Sequence, residues 1–595
     1  MSESTTTIEL DFLIIGAGPA GIQLGYFMKK AGCSHLILEA ADRPGTFLEK
    51  YPRHGKLLSI NKIHTGYTDR AAQLRYDWNS LLCDEDDMAM KDYSKDYFPS
   101  TEEYAKYTRD FAERFDLSIQ YNTKVLSVKK ADDGEQGYVI QDHHGTIYRV
   151  RCLIVAVGVQ KPYVPAIPGI ELAENYMDMS LDPEDFAGQK VLILGKGNSA
   201  FETANHLIAA TRVTHLCSPN PIKMAWQTHF FGHLRAVNND FLDTYILKGQ
   251  NSVLDADVEC IEKVGDEYHV QIRFTHAEDQ RAILAYDRVL CCTGFQWDPS
   301  FFDADCQPDM ACEDRLPAMT SGWESTNLPG VFYAGTITQI RDLKKTMSSV
   351  LHGFRFNTAS LFNIVTERVL GTPWPRDCFE ATSHNIAEKI TEQVSSAAGL
   401  MHQPGFLGDC LVVNDETGQA EYFANLAVDY IQDSDFAKNA HYYIVTMEYG
   451  EFDGDLFNKD RAPDAAKGYD DAYLHPRIRR MCRGRMLAEH HISESLENDW
   501  RIGKHPGDLP LIRALDFKDQ ADPTQYQQTH RQELVKYLET QLAVGSPGID
   551  EVPFGVSCSD DSMGNPTGDA CGCSAAAFPT TNTPDGQSCP ISRDA

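Results

Sequence analysis

Two glycine-rich turns are the residues of this chain whose types and spacing most directly specify chemistry. The first, Gly16-Ala17-Gly18-Pro19-Ala20-Gly21, follows the apolar run Phe12-Leu13-Ile14-Ile15. The second, Gly195-Lys196-Gly197-Asn198-Ser199-Ala200, follows Val191-Leu192-Ile193-Leu194. In each, the leading glycine permits a tight turn and the next lets the backbone approach a pyrophosphate. The third small residue, Gly21 or Ala200, lets the helix pack closely on the strand. The pyrophosphate then rests on unpaired N–H groups at the positive end of a helix dipole. Glu39 ends the strand Leu36-Ile37-Leu38, where a carboxylate accepts hydrogen bonds from ribose hydroxyls. Two such units in one polypeptide predict two dinucleotides and electron transfer between them.

The elements that must position these turns set the organisation. At 595 residues the chain predicts several domains with ample core. We read an α/β protein with two Rossmann-like dinucleotide-binding domains, the second inserted in the first, plus a mixed α/β C-terminal extension. The first domain spans residues 8–165 and 295–370, the second 166–294, and the extension 371–545. Gly158 and Gly294 each end a buried-strand pattern, at points where the backbone must pass close to a ligand. Gly330 to Gly335 reads as a strand entering a turn, and Ser348 to Val365 as a helix whose Leu351 and His352 can face a ligand. The extension holds strand-like Tyr442 to Met447 and a basic run from His475 to Arg485, without a nucleotide motif or an assigned function. Residues 546–595, rich in Gly, Ser, Pro, Thr and Asp, predict a flexible cysteine-containing tail.

A net charge of −32 argues against nucleic acid or an anionic membrane as partner and favours solubility. The stretch Met1 to Leu10 lacks the cationic start and apolar core of a signal peptide, and no apolar run reaches membrane-span length. The ending Ser592-Arg593-Asp594-Ala595 is not an ER-retention signal. The expectation is a cytoplasmic protein whose sixteen cysteines are mostly reduced.

Longer strings point to a family. Tyr51-Pro52-Arg53-His54-Gly55-Lys56-Leu57-Leu58-Ser59-Ile60-Asn61-Lys62 and Tyr76-Asp77-Trp78-Asn79-Ser80-Leu81-Leu82 resemble the FAD-dependent oxidoreductase domain-containing proteins. So do Asp182-Pro183-Glu184-Asp185-Phe186-Ala187-Gly188 and His352-Gly353-Phe354-Arg355. That group is similar to thioredoxin reductases, flavin-containing monooxygenases and Baeyer–Villiger monooxygenases. The resemblance runs from about residue 8 to 500, sparsely after 375. It implies FAD on the first motif and a nicotinamide coenzyme on the second, with hydride passing to the flavin. Gly45-Thr46-Phe47 resembles a monooxygenase segment whose backbone meets the flavin, and Val125 stands where a backbone group contacts FAD adenine. Gly335-Thr336 resembles the second FAD phosphate contact, with Thr336 where reductases carry aspartate. The family's eukaryotic member is an ER flavoprotein linked to protein degradation; without its targeting signals, neither location nor role carries over.

The coenzyme and the electron acceptor are the remaining expectations. The strand Val213-Thr214-His215-Leu216-Cys217 ends in Ser218-Pro219-Asn220 without an acid, and Lys223 follows closely. This predicts NADPH, with NADH as the alternative. The aromatic, His-rich stretch Trp226 to Arg235 should lie near the nicotinamide, with His229 and Arg235 as catalytic candidates, although core packing accounts for the aromatics equally well. No Cys-x-x-Cys or Cys-x4-Cys pair is found, and Cys291-Cys292 lies on a buried strand pattern. Asn61 and Lys62, in Ser59-Ile60-Asn61-Lys62, resemble the monooxygenase asparagine context that supports a C4a-peroxyflavin; a turn-capping role is the alternative. Against this, Glu174 to Ser180 lacks the histidine of the Phe-x-Gly-x-x-x-His fingerprint. His490-His491 lacks a third ligand, so no metal is expected. The leading expectation is a single-component flavin monooxygenase that oxygenates a small molecule with O2. An NAD(P)H oxidase, a thiol/disulfide reductase using Cys558, Cys571, Cys573 or Cys589, and an FAD-stabilised binding or chaperone-like protein are the alternatives. A homodimer is left open.

Overall fold

The computed structural model describes residues 6–131, 137–248, 250–342, 347–450, 473–495, 497–501 and 530–545. The tail 546–595, with its four cysteines, lies outside them.

The first apolar run forms the strand Thr7–Ile15, whose last four residues are buried. The helix Pro19–Lys30 follows at once, with Pro19 in the first turn, where its missing N–H costs nothing. Parallel strands His35–Leu38 and Ile147–Val155 flank Thr7–Ile15, bringing Leu38 and Val155 level with Ile15. Val331–Tyr333 joins the same sheet in parallel against Ile147–Val155, so the chain returns to it after the second nucleotide motif. The second motif repeats the arrangement. Lys190–Leu194 lies between the parallel strands Val213–Ser218 and Arg288–Cys291 and leads into the helix Asn198–Leu207. These are two Rossmann-like units, as the sequence predicts.

The region after 370 forms a third sheet, antiparallel throughout. Its strand order is Asp377–Glu380, Gln419–Ala427, Leu407–Asn414, Tyr442–Glu448, His475–Cys482, Arg485–His491. The predicted strand at 442 has two buried faces. Tyr443, Val445 and Met447 pack with the helices Ser383–Ser396 and His530–Val544, while Tyr442 and Ile444 join the core of the first unit. The period-2 alternation of a strand thus ties the extension to the flavoprotein-like body.

The helix predicted from Ser348 begins at Leu351 and runs to Leu370, where Gly371 in the left-handed region closes it. Ser348 stays outside because its N–H, like that of Met347, donates to the Asp342 carboxylate, while its hydroxyl meets Gln403 and Asn357. Two buried guanidinium groups weld the layers. Arg355, on this helix, donates to the carbonyls of Leu74, Asp77 and Ser80. Arg75 donates to the carbonyls of Ser395 and Asn498 in the extension. Removing a buried donor strands its acceptors, which is costlier than losing an exposed bond. We therefore expect Arg355→Met to lower the unfolding free energy by about 3–5 kcal/mol in urea titrations; a loss below about 1 kcal/mol would show that the three carbonyls find other partners.

Candidate functional site

The first motif builds a tight cradle. Gly16 has φ +104°, and a Cβ there would stand 2.8 Å from the Ala156 carbonyl oxygen. A Cβ on Gly21 would stand 1.9 Å from the Gly16 carbonyl oxygen, so no larger residue fits. Gly18 caps the helix of Pro19, Ala20 and Gly21 without any side-chain acceptor, leaving its first N–H groups for a ligand. Glu39 accepts from the Ala17 N–H at 2.7 Å and the Ala41 N–H at 2.9 Å, which holds its carboxylate beside the turn. The other first-unit candidates gather around it. Gly45 donates its N–H to the Ala17 carbonyl, just ahead of Thr46 and Phe47 in the short turn Thr46–Glu49. Thr123 donates to the Glu39 carbonyl, setting buried Val125 nearby. Gly335 packs on Ala20 so closely that a Cβ would stand 2.9 Å from the alanine's own. Gly158 follows Val155 beyond the strand end in open space. This constellation fits an FAD diphosphate and ribose.

The second turn has the same form. A Cβ on Gly195 would meet the Cys292 carbonyl oxygen at 2.4 Å, and Gly197 caps the helix without a side-chain acceptor. Asn198 donates to the carbonyls of Gly232 and His233 and accepts from the Arg235 N–H, so the motif helix positions the aromatic loop. Ser199 lines a small cavity with Tyr176 and Gly294. At the strand end, buried Lys196 donates to the carbonyls of Ser218 and Asn220, both at 2.9 Å, and pairs with Asp255. Lys223 is exposed. An acid does therefore stand beside Ser218. Local sequence missed it because Asp255 arrives through the parallel register that pairs it with Ser218.

Between the units lies a buried aromatic and imidazole cluster. Trp78 stacks on His352 with ring centroids 4.5 Å apart, and Phe231 meets both edge-on. His402 stands perpendicular to His352 at 5.1 Å, and the Arg235 guanidinium lies 3.6 Å from the Phe231 centroid. Burial holds the His352 imidazole neutral, well below its usual range, and neither ring nitrogen has a hydrogen-bond partner. Burial pushes His402 down to about 3; its Nε2 donates to the Arg75 carbonyl and its Nδ1 has no partner. Burial also pushes Arg235 down to about 10.

The four catalytic candidates separate here. Arg235 belongs to the cluster. Asn61 is buried beside it, bridged through its backbone to Asp77; its amide donates to the Ser94 and Asp96 carbonyls, and its Oδ1 has no partner. Lys62 is exposed, with its ammonium 5.5 Å from the Tyr76 ring. His229 stacks on Tyr449, outside the cluster. Sequence reasoning missed Trp78, which sits within a family-like string but has no local signal of a role, and His402, which carries no signal at all. His352 meets Trp78, Phe231 and His402, from three segments, while Leu351 is buried in the core of the first unit.

A second polar node joins the first unit to the motif helix. Tyr176 donates to buried Glu202 and accepts from the Arg53 N–H, while the Arg53 guanidinium donates to the Met177 and Met179 carbonyls. Burial pushes the Glu202 carboxyl up to about 7. Cys291 and Cys292 are free buried thiols, pushed up by burial, whereas Cys260 and Cys312 each take part in a disulfide. His490 stacks on Tyr537 and His491 Nδ1 lies 2.8 Å from His475 Nε2; among the described residues no group of three or more His, Cys, Asp or Glu could hold a metal. No helix among them is long and apolar enough to cross a membrane.

Comparison with known proteins accords with this geometry. Residues 13–335 match the family model described as pyridine nucleotide-disulphide oxidoreductase. The chain is 33% identical over 559 residues to FAD-dependent oxidoreductase domain-containing protein 2 of Mus musculus, covering 85% of this chain and 83% of that one. It belongs to that flavoprotein oxidoreductase family. Among solved structures, a flavin-containing monooxygenase from Stenotrophomonas maltophilia shares 19% identity, covering 61% of this chain and 99% of its own, with TM-score 0.47. A bacillithiol disulfide reductase from Staphylococcus aureus shares 16% over 61% and 99%, with TM-score 0.46. These two likenesses extend to the fold alone. Membership makes FAD the cofactor and redox chemistry the activity class.

The cradle and the polar node each have a measurable consequence. Gly21→Ala should yield protein that purifies without its yellow flavin; retention of full flavin absorbance would mean the turn can open. For Glu202, the folded carboxyl holds its proton more tightly than an unfolded one, so stability declines as pH rises from about 4.5 to about 7. Melting curves should show that decline, on the order of 2–3 kcal/mol, and Glu202→Gln should flatten it; an unchanged slope in the variant assigns the proton elsewhere.

Proposed function

We propose that the protein is an FAD- and NADPH-dependent monooxygenase that oxygenates a small molecule with O2, NADH being the alternative coenzyme. In this reading residues 8–165 and 295–370 hold FAD, residues 166–294 hold the coenzyme, and His402 of the C-terminal extension borders the reaction site. FAD, when bound, supplies hydride acceptance and reactivity toward oxygen. The chain supplies the rest.

Gly16, Gly18, Pro19, Ala20 and Gly21 seat one pyrophosphate, with Glu39 at its ribose; Gly195, Gly197, Asn198 and Ser199 seat the other. Gly45-Thr46-Phe47, Val125 and Gly335 border the flavin side. Lys196 neutralises Asp255, which leaves Ser218 and Lys223 to meet a 2′-phosphate. Asn61 offers an amide held by two carbonyls. Trp78, Phe231 and the neutral rings of His352 and His402 exclude water, which prolongs reactive states and suppresses their hydrolysis.

The observation that carries this reading is the cluster itself: it is aromatic and imidazole-rich, with no thiol among Trp78, Phe231, Arg235, His352 and His402. Electron delivery to a disulfide needs sulfur at contact distance. Rapid mixing of the reduced protein with oxygenated buffer provides the test. We expect biphasic flavin reoxidation with a near-ultraviolet transient and delayed peroxide release. Single-phase reoxidation with stoichiometric peroxide would instead identify an oxidase.

A further inference from the structure

Arg235 carries a half-buried charge that no described acidic side chain neutralises. Its guanidinium lies 3.6 Å from the Phe231 ring centroid and 5.4 Å from that of Trp78, and its Nε is buried without a partner. Among the described residues, the ionisable group that favours its charge is the Tyr97 phenol. Arg75 and Arg355, both fully buried, instead direct their terminal nitrogens to backbone carbonyls. Burying the Nε without an acceptor is unfavourable, and the fold anchors the residue there through the Arg235 backbone N–H bond to Asn198 Oδ1 at 3.0 Å.

The surroundings specify the missing partner. His352 and His402 are neutral, so they neither neutralise the guanidinium nor repel an incoming anion. A guanidinium offers a planar fork of donors that matches a carboxylate in two parallel hydrogen bonds. In the proposed function the coenzyme's own anionic groups go elsewhere: its pyrophosphate to the turn at Gly197, which no side chain caps, and a 2′-phosphate to the Ser218 end of the strand. An anion at Arg235 must therefore arrive with another molecule.

We propose that Arg235 is a substrate-binding residue that captures a carboxylate, and that the protein's small-molecule substrates are organic acids whose carbon skeleton lies toward Trp78 and His352. This rests on the reading of the protein as an oxidoreductase of a small molecule. Carboxylate capture, however, is measurable without turnover.

The test uses the full-length flavin-loaded protein, titrated separately with acetate, hexanoate and phenylacetate and with the three matching primary amides. Perturbation of the visible flavin spectrum and of tryptophan fluorescence reports binding, and NADP+ is titrated in parallel. At least one acid should bind at least about tenfold tighter than its amide, with the preference weakening as salt rises. Arg235→Gln should abolish that preference, Arg235→Lys should keep part of it, and NADP+ affinity should change less than about threefold in both. Equal binding of every acid and its amide overturns the proposal. So does a Gln variant that loses NADP+ affinity but keeps the acid preference, since the guanidinium would then serve the coenzyme. If the Gln variant does not retain flavin, the wild-type acid-to-amide ratio and the Lys variant decide alone. An acid preference in a protein that releases stoichiometric peroxide would remove the oxygenation reading and leave this one standing.

Discussion

A guanidinium buried among carbonyls is the constraint that holds the architecture in place. Arg355 sits three residues after His352 on the helix Leu351–Leu370, so both project from neighbouring positions on one face. Its bonds to Leu74, Asp77 and Ser80 fold the intervening segment around it, and Trp78 is thereby laid flat on His352. The Asp77 carboxylate tightens the same turn by accepting from the Asn79 and Ser80 N–H groups. The backbone of that segment in turn bridges to Asn61. One buried cation thus sets the position of a tryptophan, a histidine and an asparagine drawn from three stretches of sequence.

The glycine cradles are legible in the sequence because their causes are local. A positive φ at Gly16 and Gly195, and a backbone approach at Gly21, leave no choice of residue. The strand at 442 is legible for a similar reason, since alternation is a property of consecutive residues. The start of the long helix is not. Asp342 and Gln403 capture Ser348 from outside the window in which helical periodicity is read. Asp255 escapes a local reading because a parallel register, rather than adjacency, places it beside Ser218. His402 escapes it for the plainest reason: it reaches the cluster only when the third sheet docks on the first unit.

The electrostatics run in two directions. A net charge of −32 opposes anionic ligands at a distance, yet buried Arg75 and Arg355 and half-buried Arg235 place cations around the cluster. At physiological salt the long-range repulsion is screened within about 8 Å, whereas contacts at part-buried groups are screened less. Selection is therefore made at contact. Desolvation keeps His352 and His402 neutral and raises Glu202, so the junction between the two nucleotide units is held by hydrogen bonds to carbonyls more than by ion pairs.

In the proposed function, the two glycine cradles of a single chain would hold a flavin and its pyridine-nucleotide reductant, which would supply hydride transfer between them. Anaerobic titration of the purified yellow protein with NADPH puts that exchange to the proof. Stoichiometric bleaching of the visible flavin band is expected, and it should be lost on replacing Gly195 by valine while the flavin stays bound. A flavin that keeps its colour under excess NADPH and NADH would refute the two-cradle exchange.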